Sequence, residues 1–515
     1  MLSALIFLPL AGLFIIPFLR GYRAPALVAL GVTLANLALS VQLMTGFEAS
    51  ADGFQFVESF PLMADFGIAY KLGLDGVSYW MVLLTTFLFP LVVLGSYSSI
   101  KERAAGYYSS ILILQTGVLG AFLALDLFLF YIFWEVMLVP MFFIIGIWGG
   151  KDRVYATVKF VLFTMIGSLL MLVAVLYLAH HAGSFDYTII IEKRLPLPAQ
   201  YWVFAAFALA FLIKVPVFPF HTWLPDAHTE APAGGSVILA GVLLKLGTYG
   251  LLRFNLPLFP EASHFFAPLM MVLAVIGIVH GAMAAAVQPD MKRLIAYSSV
   301  SHMGYIVLGI FTFSESGIQG SLIQMINHAI STGAMFFLIG MIYDQTHTRK
   351  IADYGGIAKI VPVFATVFLI STLASAGLPG LNGFIGEYII LVSAFQADWL
   401  LGAIAVSGVV LGAWYLLKLY GKVFFGPVTN DHMHDVKDLS LRELTVLAPL
   451  LFLMFYMGVY PKPFFDAMAP SIQKNVLSYV QSDESSSELI ELMKKAGPDE
   501  QPAPEGAVEH SEAGH

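Results

Sequence analysis

The sequence contains no cysteine. This absence excludes disulfide bonds, iron–sulfur clusters held by cysteines of this chain, and any thiol nucleophile. Charged residues are scarce too, at 12% of the 515 residues, whereas soluble domains carry about a quarter. Nothing in the charge pattern indicates a nucleic-acid partner.

Sequence motifs for cofactors and metals are also missing. The chain has no nucleotide-binding glycine loop, no HExxH and no histidine pairing with the context of a haem site. Two short glycine motifs, at residues 148–152 and 353–356, fall at the ends of apolar runs, where glycines make turns. We therefore predict that this chain binds no cofactor or metal and carries no redox chemistry of its own.

Apolar sequence is abundant instead. The chain is 58% hydrophobic, and its mean hydropathy is +0.82. Runs of about 20 residues, the length that crosses a bilayer, divide it into about fourteen spans, centred near residues 11, 35, 88, 117, 138, 167, 211, 243, 276, 303, 332, 379, 410 and 452. The N-terminal run lacks a basic segment before its apolar core, so we interpret it as a span and not as a removed signal peptide. The predicted fold class is an all-α polytopic membrane protein embedded in the lipid bilayer.

Two of the predicted spans are interrupted. In the seventh, Pro216 and Pro219 follow Lys214 and break the helix. In the twelfth, Pro379 and three glycines lie within residues 375–384. The interruptions are five spans apart, which predicts two five-helix repeats, inverted relative to each other in the membrane because five is odd. The predicted units are residues 1–105 (spans 1–3), 106–255 (repeat of spans 4–8), 256–428 (repeat of spans 9–13), 429–480 (span 14 and flanks) and 481–515 (an acidic, disordered tail).

Loop charges predict the orientation in the membrane. The odd-numbered loops hold about fifteen Lys and Arg residues and the even-numbered loops about four, and such residues collect on the cytoplasmic side. The odd loops should therefore face the cytoplasm, with the N-terminus outside. An even number of spans places the C-terminus outside as well.

Four ionisable side chains lie within the apolar runs: Glu135, Lys214, Lys245 and Glu387. A charge at the bilayer centre costs a few kcal/mol or more, so such residues face a protein interior or a water-filled cavity. Glu135 has no basic residue near it in sequence, and Lys214 on another span is its candidate partner. A charge beside a helix break, as at Lys214, is typical of ion pathways in transporters.

Three histidines near or within spans seven, ten and eleven join this set as candidate relay residues: His221, His302 and His328. Imidazole titrates near neutral pH, as a proton relay requires. His280 in span nine fits a packing position as well as a relay. A buried Glu–Lys pair is often purely structural, and a lone histidine on an apolar face is more often a core residue. Together, however, these ionisable residues on several spans indicate a polar file across the membrane midplane.

Three stretches carry a family resemblance: residues 214–253, QPDMKRLIAYSSVSHMGY at 288–305, and LPGLNGFIGEY at 378–388. They resemble the antiporter-like membrane subunits of proton-pumping NADH:quinone oxidoreductase, respiratory complex I, and the similarity extends over essentially residues 1–470. The resemblance implies fourteen spans, two inverted repeats with broken seventh and twelfth helices, and no bound redox centre.

The resemblance also implies roles for single residues. Glu135 and Lys214 are similar to the family's essential ion pair, Lys245 to its connecting lysine, and Glu387 to its terminal acid. The acid at 387 favours the subunit M (chain 4) branch, because the related subunits L and N carry lysine there. On this basis we expect a proton-translocating module of the bacterial inner membrane, with subunits L and N on either side. NADH, FMN, iron–sulfur clusters and quinone would be bound by partner subunits.

Two other interpretations remain open. Multisubunit cation/proton antiporters and membrane-bound hydrogenases share similar motifs, so the chain fits a module of either assembly. A structural membrane spacer whose charges are merely paired is the alternative without transport.

Overall fold

Helices lie at or around every position where the apolar runs predict a span. The computed structural model describes residues 1–51, 53–428 and 430–481. The helices of the first half are α1 (Leu2–Ala11), α2 (Arg23–Thr45), α3 (Gly76–Gly95), α4 (Ala104–Leu123), α5 (Leu127–Val136), α6 (Leu138–Trp148), α7 (Arg153–Ala182), α8 (Tyr187–Ile190), α9 (Leu197–Lys214), α10 (Trp223–Glu230), α11 (Ala233–Ile238), α12 (Leu244–Gly250) and α13 (Leu256–Leu258). Those of the second half are α14 (Pro260–Ala286), α15 (Met291–Ile310), α16 (Glu315–Thr346), α17 (Pro362–Ser375), α18 (Asn382–Ala397), α19 (Trp399–Phe424), α20 (Leu441–Val459), α21 (Lys462–Ile472) and α22 (Ser478–Gln481).

Shorter turns of helix extend or connect these elements. The 3₁₀ turns are Gly12–Phe14, Ile16–Phe18, Ala64–Phe66, Ile351–Asp353, Ile357–Lys359 and Asp431–Asp435. The π turns are Leu239–Leu243, Leu251–Asn255 and Gln473–Leu477. The first two π turns join α11, α12 and α13 into one continuous helix.

Length and composition support the membrane assignment. Within the described residues, 11 helices are long and apolar enough to cross a membrane, and Leu2–Phe18 and Pro362–Ser375 are shorter apolar helices. Helix α15, of 20 residues, carries Lys292 and Arg293 in its first turn. The prediction of an all-α polytopic membrane protein is confirmed. The count of fourteen spans, the two inverted repeats and the domain limits stay predictions, and the tail from residue 482 onward lies outside the described residues.

A β-hairpin between α2 and α3 was not predicted. Strands β1 (Gln55–Met63) and β2 (Ile68–Leu74) pair antiparallel around the Ala64–Phe66 turn, and they are the only strands in the described part of the chain. Asp75 follows β2 directly and caps α3, because its carboxylate accepts a hydrogen bond of 3.0 Å from the Ser78 backbone N–H. The Ser78 hydroxyl donates back at 3.0 Å to the same carboxylate, which fixes where the hairpin ends and the helix begins.

The two predicted helix breaks are present. Helix α9 ends at Lys214, and the indole N–H of Trp223 donates at 2.8 Å to the Ile213 carbonyl. This hydrogen bond satisfies a carbonyl that the prolines leave without its helical partner. In the second break, between α17 and α18, Gly377 and Gly380 have φ of +74° and +92°, a conformation that favours glycine because it has no Cβ.

A buried ion pair ties the C-terminal helices to the rest of the chain. The Arg253 guanidinium donates to the Asp75 carboxylate, and the two side chains are 1% and 0% exposed. Asn475, in the π turn after α21, donates at 2.8 Å to the other oxygen of Asp75. The Gly76 backbone N–H donates at 2.8 Å to the hydroxyl of Ser471. The start of α3, the end of the eighth span and the segment after α20 therefore meet at one carboxylate.

We expect the substitution Arg253→Met to destabilise the chain strongly. It leaves the Asp75 carboxylate buried without its counter-charge, a change that costs about 3–5 kcal/mol when a buried pair is broken. The measurement is denaturant unfolding of this chain in the detergent-solubilised protein. Lys462→Met is the matched control, because it breaks the exposed Lys462–Asp466 pair of α21, and such pairs contribute about 0–1 kcal/mol. Equal effects of the two substitutions would contradict the prediction.

Candidate functional site

Four of the predicted residues lie in one row that crosses four spans. The ammonium of Lys245 on α12 lies 2.6 Å from Nδ1 of His328 on α16. The rings of His328 and His302, on α15, have centroids 5.7 Å apart. Nδ1 of His302 then lies 2.8 Å from a carboxylate oxygen of Glu387 on α18. All four residues are buried, so the row runs through the protein interior.

Lys245 is held at one end of this row by an irregular part of its helix. Its ammonium also donates to the carbonyl oxygen of Ala240, which belongs to the π turn Leu239–Leu243. π turns are wider than α-helical turns and are frequent at functional sites. This backbone acceptor gives the fully buried ammonium a partner besides the imidazole of His328. Among the residues that the structure describes, no acidic side chain forms a salt bridge with it.

The middle of the row contains unsatisfied polar atoms. The Nε2 atoms of His302 and His328 are both buried and have no hydrogen-bond partner among the described residues. Buried polar groups normally have such a partner, in the protein or in ordered water. Because the two rings are not in direct hydrogen-bond contact, water between them is the group that would satisfy these atoms.

Glu387 is held at the other end beside the second helix break. Besides His302, the amide of Gln324 on α16 donates to its carboxylate at 3.1 Å. Asn327, one turn further along α16, donates at 2.7 Å to the carbonyl of Asn382 in the first turn of α18. Gly386 allows this contact between the two helices, since a Cβ there would lie 2.4 Å from the Gln324 amide oxygen. Two amides of α16 therefore fix the carboxylate in place.

Lys214 and Glu135 lie outside this row. The buried ammonium of Lys214 lies 5.1 Å from the ring centroid of Trp134 and 5.9 Å from that of Phe160. Cation–π contacts of this kind contribute up to about 2 kcal/mol when desolvated. Glu135 acts on Lys214 electrostatically, but its buried Oε1 atom has no hydrogen-bond partner in the described structure. The two predicted partners are thus neighbours without a salt bridge, and aromatic faces hold the lysine.

His221 is also separate from the row. It lies in the segment between α9 and α10, and its Nε2 atom is 3.2 Å from Nε2 of His280 on α14. The structure therefore brings together Lys245, His328, His302 and Glu387. It places Lys214 near Glu135 and pairs His221 with a histidine of span nine.

His228 was not among the residues predicted from sequence. This residue on α10 is fully buried and stacks on Phe336 with ring centroids 4.8 Å apart. Neither of its ring nitrogens has a partner among the described residues, and it interacts electrostatically with Lys245 and Lys292. Its position in the helical turns that follow the proline break, after His221, was the available signal. Its neighbours on α12 and α15 could not be identified from sequence.

Two polar cavities meet at Glu230, the last residue of α10. One, of 220 Å³, is lined by Lys292, Asp344 and Arg349 together with Glu230. The other, of 310 Å³, is lined by Asp226 and Arg293 together with Glu230. Both are large enough for several waters and carry the polar groups that water needs. In the described residues no group of three or more His, Asp or Glu side chains is arranged to hold a metal ion.

Known protein families and single proteins are similar to this chain over most of its length. The family described as "NADH:quinone oxidoreductase/Mrp antiporter, TM" matches residues 124–412, and "NADH-ubiquinone oxidoreductase chain 4, amino terminus" matches residues 6–125. NADH-quinone oxidoreductase subunit M of Rhodobacter capsulatus is 42% identical over 498 residues, which are 93% of this chain and 97% of that protein. The chain belongs to the subunit M (chain 4) family. The family predicted from the three sequence stretches is therefore confirmed.

Solved structures agree with this subunit M family assignment. A chain of respiratory complex I from Thermus thermophilus with bound NADH matches with a TM-score of 0.86 and 32% identity, over 93% of this chain and 100% of that chain. A chain of the Mrp complex from Dietzia sp. DQ12-45-1b matches with a TM-score of 0.81 at 22% identity, over 93% of this chain and 99% of that one. The second similarity concerns the fold alone.

Proposed function

We propose that this chain is a proton-translocating subunit in the membrane arm of a NADH:quinone oxidoreductase. The observation that carries the proposal is the buried row Lys245–His328–His302–Glu387. A row of titratable groups in near contact can pass protons between helices, whereas a structural spacer needs only paired charges. The chain moves protons but not electrons. NADH, FMN, iron–sulfur clusters and quinone belong to partner subunits.

Protons enter this system at the two cavities around Glu230. The cavity that contains Lys292 lies beside α10, and His228 on the same helix interacts electrostatically with both Lys292 and Lys245. Its two unsatisfied nitrogens can accept one proton and donate another. His228 therefore links the cavity to the start of the row at Lys245.

The hydrogen bonds of the row provide a path for proton transfer from Lys245 to Glu387. Lys245 as an ammonium donates to Nδ1 of His328, so the neutral ring carries its proton on Nε2. That Nε2–H has no acceptor within the described part of the chain, and a bridging water would pass its proton toward His302. Nδ1 of His302 then delivers a proton to Glu387. Glu387 releases it beside the break between α17 and α18, where loosened backbone admits water.

Lys214 and Glu135 act as the coupling element. Approach of the Glu135 carboxylate would stabilise the ammonium of Lys214, and withdrawal would leave it desolvated and favour release of its proton. The aromatic faces of Trp134 and Phe160 hold the cation while the carboxylate is apart. Field changes from quinone reduction in partner subunits, including neighbouring subunits L and N, would drive this movement.

The decisive experiment on the assembly is purification in mild detergent. Copurification of flavin and iron–sulfur subunits with two other antiporter-like subunits supports the proposal. The matching family model, whose description also names the Mrp antiporter, makes a cation/proton antiporter the second candidate. Sodium-stimulated transport by a complex lacking NADH dehydrogenase subunits would favour that candidate instead.

We expect both termini to lie in the periplasm of a bacterial inner membrane, because the odd-numbered loops carry most of the basic residues. A periplasm-active reporter fused after His515 should be active, and the same reporter in the loop at Lys101 should be inactive. A cytoplasm-only reporter that is active at the C-terminus would overturn either the orientation or the even number of spans.

A further inference from the structure

The pair His221–His280 lies where the broken seventh span reaches the outer surface of the chain. Pro219 and Thr222, which flank His221 in the break, are exposed. His280, on α14, is half-buried. His280 lies about two turns from the C-terminal end of α14. The loop charges predict that this end faces the cytoplasm, so the pair lies between the cytoplasmic side and the interior.

The geometry of the pair permits proton transfer. The two Nε2 atoms are 3.2 Å apart, and the rings meet edge to face with centroids 4.9 Å apart. Phe218 packs on both rings, with centroid distances of 5.7 Å to His221 and 5.4 Å to His280. A hydrogen bond between two Nε2 atoms requires that one ring donates and the other accepts. The pair therefore shares one proton between its facing nitrogens.

On its buried side, the pair has a ring nitrogen that can exchange a proton. Nδ1 of His221 is buried and has no hydrogen-bond partner among the described residues. The other charged group that acts on His221 is Lys159 of α7, whose ammonium already pairs with Asp226 at 2.8 Å. His280 makes no second hydrogen bond in the described structure, so its Nδ1 atom is free for exchange at the half-buried side.

We propose that His280 is a proton-transfer partner of His221, and that the pair is a side branch between the outer surface of the broken span and the interior. This inference rests on the proposed function and names a route within it. A proton bound at Nδ1 of His280 makes that ring cationic, and its Nε2 proton then passes to Nε2 of His221. His221 next releases a proton from Nδ1. One proton enters and one leaves, both rings change tautomer, and no electron moves.

The test uses the assembled complex in sealed membrane vesicles, with four single variants and one double variant. His280→Gln keeps a hydrogen-bonding group but cannot carry a proton. His280→Phe keeps an aromatic ring that can pack against Phe218. His264→Gln is the matched control: it changes a histidine on the same helix α14 whose hydrogen bond and ring contact, among the described residues, are to the Val480 carbonyl and the Phe313 ring. NADH oxidation with an artificial acceptor reports assembly in every case.

We expect both His280 variants to lower the proton-pumping rate about twofold, because the route from the cavities around Glu230 remains. This loss is far below the 10²-fold or more that a proton-transfer group on a single route typically contributes. His264→Gln should pump as the wild type does. The double variant His221→Gln/His280→Gln should be no slower than His221→Gln alone, because the two residues act in series. A packing role predicts that His280→Phe pumps normally, and a hydrogen-bonding role predicts that His280→Gln does. Either result would overturn the branch.

Lys214→Ala, measured in the same vesicles, separates this inference from the proposed function. If Lys214→Ala loses pumping and His280→Gln does not, only the side branch is wrong. If neither variant loses pumping, the proposed function itself is wrong.

Discussion

Lys214→Ala should nearly abolish proton pumping and the quinone reduction coupled to it. Lys214 is the buried ammonium at the end of α9, held over Trp134 and under the electrostatic influence of Glu135. No neutral side chain replaces a group that must gain and lose a proton, and such groups contribute roughly 10²-fold or more to rate. NADH oxidation by an artificial acceptor at the distant peripheral site should survive. The measurements are proton uptake by inside-out vesicles and quinone reduction in the same preparation.

Three further variants sharpen this prediction. Lys214→Arg keeps a positive charge over the Trp134 ring but cannot deprotonate, so it should assemble normally and still fail to pump. Lys418→Ala is the matched control, because Lys418 also lies over a tryptophan ring, at 4.6 Å from that of Trp414, but on an exposed face of α19. Its pumping should equal that of the wild type. Glu135→Ala should resemble Lys214→Ala, since it removes the acid that, among the described residues, acts electrostatically on this lysine. Near-normal coupled turnover in an assembled Lys214→Ala complex would rule out the assignment.

Glu387→Gln should assemble normally yet lose most of its coupled activity. The amide oxygen of glutamine can accept the same hydrogen bonds from His302 and Gln324 that the carboxylate accepts now. A structural acid would therefore tolerate the change at modest cost. A proton-transfer acid must ionise, which glutamine cannot do. Glu387→Asp should keep part of the activity, because it retains a carboxyl group at an altered distance from His302.

The readout for Glu387 is the number of protons moved per electron, which a purely structural substitution does not change in an assembled complex. Glu315→Gln is the control: Glu315 is an exposed acid in the first turn of α16 that accepts from Gln319 at 2.8 Å. It should leave the ratio unchanged. If Glu387→Gln pumps at the wild-type ratio, Glu387 is structural and the proton leaves by another route.

The predicted residues differ in how much of their environment could be foreseen. Lys245 and Glu387 stood out because ionisable groups are rare in apolar runs, and both lie in the buried row. The contacts that join them through His328 and His302 depend on how spans 8, 10, 11 and 12 pack, which hydropathy does not report. Lys214 was predicted from sequence as the candidate partner of Glu135. The structure places its ammonium over the ring of Trp134, the residue next to Glu135.

Some features carried no readable signal at all. The π turns around Lys245 form within residues 233–255, which contain no proline, so this stretch predicts only an ordinary helix. The β-hairpin at residues 55–74 lies in the loop between two spans. The bilayer does not require an apolar run there, so hydropathy does not reveal the strands. His228 and His280 carried a weak signal, because each lies in or near a predicted span. Nothing local in the sequence, however, distinguishes a buried imidazole with a partner from one without.

The sequence by itself determined the membrane helices, the two helix breaks and the ionisable residues of the buried row. The physical reason is that a bilayer offers the backbone no hydrogen bonds, so spans must be helical and interruptions require proline or glycine. Only the tertiary structure decided which of these residues touch: Lys245 with His328, His302 with Glu387, and His221 with His280. Those contacts lie between residues 59 to 85 positions apart in the chain, and side-chain packing between helices, which no local pattern encodes, brings them together.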